Sequence, residues 1–595
     1  MKFWLSFCLG LNTWLAIASL VSAKDYYVNC LVGDDRFTGL SDKLGPDNQG
    51  PLATIAQALK KAEAGDTIHL IPTSQPYRET ADFSGVKGGS PGKSLVLDGH
   101  GATLTGAEVC SPDGWKEWKE GIFRRDDLVS RIFLLVDGEM VFVTRNVDCL
   151  KPGEICFSPE ELNRLHFWLP VGKKIDQLTI EVKQPDGTAL TLDPAKWKRA
   201  SSTNPNLLRY EGLKPPTQVK IDGKEVSLVL AKERLQPGQW CQEEKTMYYR
   251  LPADKRLSEV KISAIVRANG VQMTRETAYV VVRNLNVEHV YNDGFNIHGR
   301  VTHAEFYNCN ARECGDEGFS AHDECETLLD TAVFLSCDNG IANVNQKGFS
   351  LTRNVIVGFS RSVGFLIQGT AKHQLSRAVL LNNPTQLSVI NTQVEDCLIV
   401  NTFDSLVKNS VAIRSAGESS FTRLTTAGHT LPLFVAPGSK ISLSDCLFSE
   451  TGKFFHFRLD EPLNAVRMKN VSVGEGLKIE WGSNYPWKSL QFSEWLKLAE
   501  KQGVATGGRI FPMDWTRNLL QGKLPSTIPD IPGCPEEIIR KFIQFLESLQ
   551  LSHSQSRGTS IFSLTPKIIA VLPLFPGWMS FTRPNPAGVL THPMI

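Results

Sequence analysis

Between about residues 275 and 475, apolar and polar positions recur in one order: apolar, any, apolar, any, Asn or Asp, apolar, any, apolar. The pattern reads Val280, Val282, Asn284, Leu285, Val287, then Ala304, Phe306, Asn308, Cys309, Ala311. It returns as Ile441, Leu443, Asp445, Cys446, Phe448 and as Val466, Met468, Asn470, Val471, Val473. Alternation with period two predicts short strands, and the central amide or carboxylate predicts a bend. The bend residues Asn284, Asn308, Asp330 and Asn354 lie 24, 22 and 24 positions apart, with Ser376 a further 22 on. Glycines keep the same step at Gly294, Gly318, Gly340 and Gly364.

A repeat of this length is one coil of a stack: each coil supplies strands and a bend, and neighbouring coils pair in parallel. Parallel crossovers are right-handed, so the predicted fold is all-β, a right-handed parallel β-helix. Side chains at the bends form a ladder, and the cysteine after each bend (Cys309, Cys397, Cys446) points inward. Residues 24–114 read as the N-terminal cap and first coils, where Ile55, Ala58, Leu59 and Ala62 mark one face of a helix that plugs the open end. Residues 266–490 read as the main solenoid, and 491–552 as a helical segment. In it Ile538, Phe542 and Phe545 are expected to pack on the last coil.

Residues 115–265 break the repeat and contain a duplication. Val136-Asp137-Gly138 recurs as Ile221-Asp222-Gly223, and Leu150-Lys151-Pro152-Gly153 as Leu235-Gln236-Pro237-Gly238, each 85 residues later. Leu169-Pro170 then matches Leu251-Pro252 at 82. Two similar β-rich units are expected as an insertion.

Composition narrows the setting. Lys2, an apolar run and Val21-Ser22-Ala23 suit an export signal over residues 1–23, so a secreted, periplasmic or cell-surface protein without a membrane span is expected. The final stretch, 553–595, is interrupted by Ser, Pro and Gly and is expected to be poorly ordered. With 64 basic and 63 acidic residues the formal charge is +1, which lacks the one-sided basic field of a nucleic-acid binder. Twelve cysteines remain after the leader, without zinc-site spacing, and read as buried thiols. A monomer is expected.

The glycines also set a ruler for the outer surface. After each come inward positions, Phe295 and Ile297, Phe319 and Ala321, Ile341 and Asn343, Phe365 and Ile367, of which only Asn343 is polar. Outward positions four after the glycine are His298, His322, Val344 and Gln368; just before it stand Asp293, Glu317, Asn339 and Val363; two before it, Asn292, Asp316, Asp338 and Ser362. Stacking at about 4.8 Å brings carboxylates one coil apart to about 5 Å, the separation of retaining glycosidases. Close acids repel, so one gains a raised pKa and serves as acid while the other stays ionised. Asp293, Glu317 and Asp316 are the candidate catalytic residues; His298, His322, Asp338, Asn292 and Arg300 are the candidate substrate contacts. Acidic residues before glycine are also what tight turns favour. No cofactor is required, though the same acids suit calcium. Three classes stay open: a glycoside hydrolase, a polysaccharide lyase using Arg300, Arg312 or Lys347 as base, and a non-catalytic glycan-binding surface protein.

Asn292-Asp293-Gly294-Phe295-Asn296-Ile297 and Gly315-Asp316-Glu317-Gly318-Phe319-Ser320 resemble the paired acidic turns of pectin-lyase-like β-helix proteins, including polygalacturonase-type hydrolases. The Gly-His-Gly and Arg-x-Lys segments of the latter are absent, and Cys337-Asp338-Asn339-Gly340 stands in the histidine segment's place. Over residues 25–500 the chain is similar to bacterial β-helix glycosidases with an inserted β domain, of β-xylosidase-like type. The similarity rests on Pro51-Leu52-Ala53-Thr54-Ile55, Gly65-Asp66-Thr67-Ile68, Leu134-Leu135-Val136-Asp137-Gly138, Leu235-Gln236-Pro237-Gly238-Gln239-Trp240 and Tyr248-Tyr249-Arg250-Leu251-Pro252. That resemblance implies a polysaccharide or oligosaccharide substrate, with Asp293 as nucleophile and Glu317 as acid/base.

Overall fold

The computed structural model describes residues 22–511, 520–521 and 533–554, apart from 87, 120, short stretches between 152 and 245, 403–404 and 406. Nearly all of the expected export leader, and the tail from 555, lie outside the described residues. The chain winds into a β-solenoid of about nine turns. Each coil has three strand faces. Val280–Arg283 is stacked between Leu95–Asp98 and Ala304–Tyr307 on the first, and Asn286–Glu288 between Thr103–Thr105 and Asn310–Arg312 on the second. On the third, Phe295–Ile297 lies between Val271–Met273 and Phe319–Ala321.

The bend between the first two faces needs a left-handed residue, which Asn and Asp adopt more readily than branched residues. Asn284, Asn308, Asn354, Asp396, Asp445 and Asn470 hold it, with φ of 51–56°. Two expected rungs are displaced by one position. Asp330 pairs with Tyr307, so Thr331 takes the bend at φ 61°; Ser376 pairs with Arg353, and Arg377 takes it at φ 56°. The ladder survives because the neighbouring Asp330 Oδ1 accepts from Asn354 Nδ2 at 2.7 Å, as Asn284 Oδ1 does from Asn308 at 3.1 Å.

Inside, Phe295, Phe306, Phe319 and Phe334 interlock edge-to-face or tilted, with centroids 5.0–6.4 Å apart. Each such ring removed from water contributes roughly 1.5–3 kcal/mol. The helix Ile55–Lys61 closes the N-terminal end with Ile55, Ala58 and Leu59 buried in the core; Thr54 Oγ1 caps it by accepting from Gln57 N at 3.1 Å. Phe492–Lys501 closes the other end with Phe492, Trp495, Leu496 and Ala499.

The last helix, Glu536–Ser554, does not sit on the final coil as the sequence suggested. Ile538, Ile539, Phe542 and Ile543 lie on the flank of the second face, against Val333, Leu335, Ile356, Val379, Leu381, Leu398 and Val400. That face is apolar on both sides, so its outer side also has to be covered.

Between Thr105 and Val271 the chain leaves the solenoid and builds four antiparallel four-stranded sheets. The sequence duplication is mirrored in shape. Asp137 and Asp222 hold φ 51° and 50°, each heading a hairpin turn, and each side chain accepts a backbone N–H at 2.8–2.9 Å, from Lys261 and Thr179. The insertion packs on the solenoid through Tyr291, which touches the cluster of Ala107, Phe133, Leu135 and Ile265. Among the described residues none of the twelve cysteines forms a disulfide, and ten of them are buried.

Candidate active site

The turn from the second face to the third carries the acids. Backbone bonds hold successive turns in register: Asp316 N donates to Asn292 O, Asp338 N to Asp316 O, and Ser362 N to Asp338 O, at 2.8–3.1 Å. Gly294, Gly318 and Gly340 keep the turns this close. A Cβ on any of them would fall 2.6–2.7 Å from the next glycine's carbonyl oxygen, so close approach rather than left-handed φ selects glycine here.

The side chains before these glycines form a polar ladder. Asp293 N donates to Asn269 Oδ1, Glu317 N to Asp293 Oδ1, and Val363 N to Asn339 Oδ1, each at 3.2 Å. Asn339 Nδ2 donates to Glu317 Oε1 at 3.0 Å. The ladder begins one coil earlier than the sequence reading placed it, at Asn269-Gly270, where no acidic residue drew attention.

Within it, Asp293, Asp316 and Glu317 each bring a carboxylate oxygen to within 4.8 Å of the others. Asp293 does not lie on the outer surface as its spacing suggested: it is 2% exposed, because the stacked turns close over it, and Asn296 Nδ2 donates to its Oδ2 at 2.6 Å. Glu317 and Asp316 are only partly buried and form the accessible side of the cluster. Burial, followed by the adjacent Asp293 carboxyl, pushes Glu317 up to about 7. Burial and then Glu317 push Asp316 up to about 6. Burial raises Asp293 too, opposed by its bonds to Glu317 and Asn296. Near neutral pH the cluster therefore holds a proton shared among neighbouring carboxyls, a supply that general acid catalysis needs.

Arg361, which the sequence reading passed over, braces this turn. Its guanidinium donates to Ser336 O, Cys314 O and Gly315 O at 2.9 Å each, with Nε 3.6 Å from Asp338 Oδ1. Phe142, from the insertion, lies 5.1 Å from it. Three carbonyls on two coils are thereby tied to one cation next to the acids.

The remaining candidates divide. Asn292 donates to Asn269 Oδ1 at 3.0 Å and so belongs to the ladder. His298 and His322 stack with centroids 4.4 Å apart, and His298 Nε2 lies 3.4 Å from Ser320 Oγ. Burial and then His322 lower His298 to about 4, so it is neutral in ordinary buffers. Both histidines stand five residues beyond their acid, about 16 Å along an extended strand, and would meet a different part of a ligand. Arg300 lies outside the acid cluster. After Gly299 (φ 90°) the chain has turned onto the first face, where Arg300 pairs with Glu276 at 2.9 Å and Glu324 at 3.8 Å. Lys347 pairs with Glu324, and Arg312 is buried against Glu288 and Glu313. Inside the core, Asn343 Oδ1 has no partner among the described residues.

The three acids are also a group that could hold a cation, although calcium takes six to eight oxygens. Elsewhere, His69, Asp98 and His100 place ligand atoms within 4.8 Å of one another.

Comparison with models of known families gives no match, and comparison with curated proteins gives none. Among solved structures the chain is similar to XylC, solved in complex with xylose: TM-score 0.42, 11% identity, 82% of this chain and 86% of that one. It is also similar to a glycoside hydrolase (0.39, 11%, 87% and 100%) and to pectate lyase Pel9A (0.37, 11%, 72% and 76%). No helix of the described residues is long and apolar enough to cross a membrane.

Proposed function

We propose that the chain is a retaining glycoside hydrolase acting on an extracellular polysaccharide or oligosaccharide. The observation that carries this reading is the pair Asp293 and Glu317 on adjacent coils, whose carboxylate oxygens lie within 4.8 Å of each other. Such proximity leaves no room for the water that an inverting pair must admit. Glu317, held by Asn339, donates its proton to the glycosidic oxygen as the bond breaks. Asp293, oriented by Asn296 and the Glu317 N–H, attacks the anomeric carbon. Glu317 then takes a proton from water to release the sugar. A uronate lyase is less well supported, because its three candidate bases are each paired with carboxylates.

The low exposure of Asp293 favours one variant of this reading: Glu317 and Asp316 touch the sugar, and Asp293 serves to raise Glu317. A 2-fluoro glycoside that traps the covalent intermediate, followed by peptide mass spectrometry, separates the two. A tag on Asp293 supports the first assignment and a tag on Asp316 the second. Unsaturated uronate products from a panel of polysaccharides would overturn both.

A further inference from the structure

The insertion reaches the acid turn through one hairpin, Phe133–Val136 with Glu139–Phe142. Residues directly opposite in an antiparallel pair point to the same face, and here Leu135 opposes Met140 and Phe133 opposes Phe142. Phe133 and Leu135 are buried with Ala107 and Ile265, and Met140 and the solenoid's Tyr291 pack against them, so this face of the hairpin is turned to the solenoid. Phe142 is its last member. Its ring lies 5.9 Å from that of Phe133, yet it is 43% exposed where Phe133 and Leu135 are covered. A solenoid-facing ring left this open overhangs a gap rather than a packed contact.

The floor of that gap is the acid turn. The Arg361 guanidinium lies 5.1 Å from the Phe142 ring centre and donates to the carbonyls of Cys314 and Gly315, immediately before Asp316. Its Nε stands 3.6 Å from Asp338, whose side chain is 41% exposed. Unlike Asp293, the residues Asp316, Glu317 and Asp338 are each partly open to solvent. An apolar ring facing carboxyls across an accessible gap suits a ligand with one C–H face and a rim of hydroxyls, which is the shape of a sugar ring. Among the described residues no salt bridge brings a cation to Asp293, Asp316 or Glu317, and Arg361 is spent on three carbonyls and Asp338. A carboxylate on the ligand would meet these acids without a free partner, and such like-charge contact selects against it.

We propose that Phe142 is a specificity-determining residue of the acid site, supplied by the insertion as a stacking wall for an uncharged sugar ring. The C–H face of the sugar packs on the side of Phe142 that Arg361 leaves free, and Asp316 and Asp338 accept from its hydroxyls. Arg361 holds the wall at a fixed height, because one guanidinium meets both the aromatic ring and the backbone that carries Asp316. The inference rests on the hydrolase reading for the ligand being a sugar. It adds a task for the insertion, and it selects neutral glycans over uronates as the substrate class.

The test is binding, read by calorimetry on the Glu317→Gln protein so that the ligand stays intact. The probes are xylotetraose, cellotetraose, mannotetraose and galactotetraose, beside tetragalacturonate. At least one neutral tetramer should bind, and tetragalacturonate should bind about tenfold more weakly or not at all. Adding Phe142→Ala should weaken the neutral tetramer by about tenfold or more, whereas Phe142→Tyr should keep its affinity. Because the ring is nearly half open to water, both substitutions should leave the melting temperature within a few degrees. Binding of none of the four neutral tetramers, tighter binding of tetragalacturonate, or equal binding with and without the ring overturns the wall. Failure of the hydrolase reading looks different: ring-dependent binding persists while the unsubstituted protein releases no reducing ends from the bound tetramer.

Discussion

Glu317→Gln should make the protein more stable above neutrality while removing its activity. Glu317 is raised from 4.5 to about 7 in the folded chain, by burial and by Asp293. A group with a raised folded pKa favours folding fully below its unfolded value and loses that contribution as pH climbs through the folded one. Between pH 4.5 and about 7 the native protein therefore gives up about 3 kcal/mol at this residue. Glutamine does not titrate, accepts from Asn339 Nδ2 as Glu317 does, and can donate to the Asp293 carboxylate. The two proteins should melt together at pH 4, and the variant should melt a few degrees higher at pH 8. Calorimetric scans at half-unit pH steps measure the gap. A gap that is constant with pH, or a variant that is less stable at pH 8, refutes the argument that Glu317 is held protonated against its neighbours.

Asp293→Asn should lower turnover by about a hundredfold or more while leaving the melting temperature within a few degrees, because Asn keeps an Oδ1 for the Glu317 N–H, as Asn339 does for Val363. Turnover that survives would reduce Asp293 to a rung of the ladder. The rate should fall as pH rises through about 7, where Glu317 loses its proton, and stopped assays across pH 5–9 would read that limb. Gly318→Ala should destabilise by about 1–3 kcal/mol in denaturant melts, since its Cβ would stand 2.6 Å from both Gly340 O and the Phe334 ring. Prolonged chelation should leave activity unchanged, as expected where the acids hold a proton; loss restored by calcium would reassign the cluster to a metal.

The solenoid was legible because two backbone demands recur every coil. Left-handed bends select Asn284, Asn308 and Asn470, and close turn contacts select Gly294, Gly318 and Gly340. Where another residue meets the same demand, the reading slipped, as at Thr331 and Arg377. The docking of the last helix was hidden for a different reason. Segments such as Ala332-Val333-Phe334-Leu335 and Cys397-Leu398-Ile399-Val400 are apolar throughout, and a strand buried on both sides carries no alternation to say which side faces out. Asp293 and Glu317 could be paired from spacing alone, whereas Arg361 could not. It acts on Cys314 and Gly315, 47 and 46 residues earlier, through carbonyls that no sequence pattern records.

The most direct measurement sets the unsubstituted protein beside Asp293→Asn and Glu317→Gln on one panel of plant and algal polysaccharides, reading reducing ends and product stereochemistry by NMR. The account predicts reducing ends of retained anomeric configuration from the first protein, and release lower by about a hundredfold from each variant. Equal release by all three, or inverted product, would contradict it.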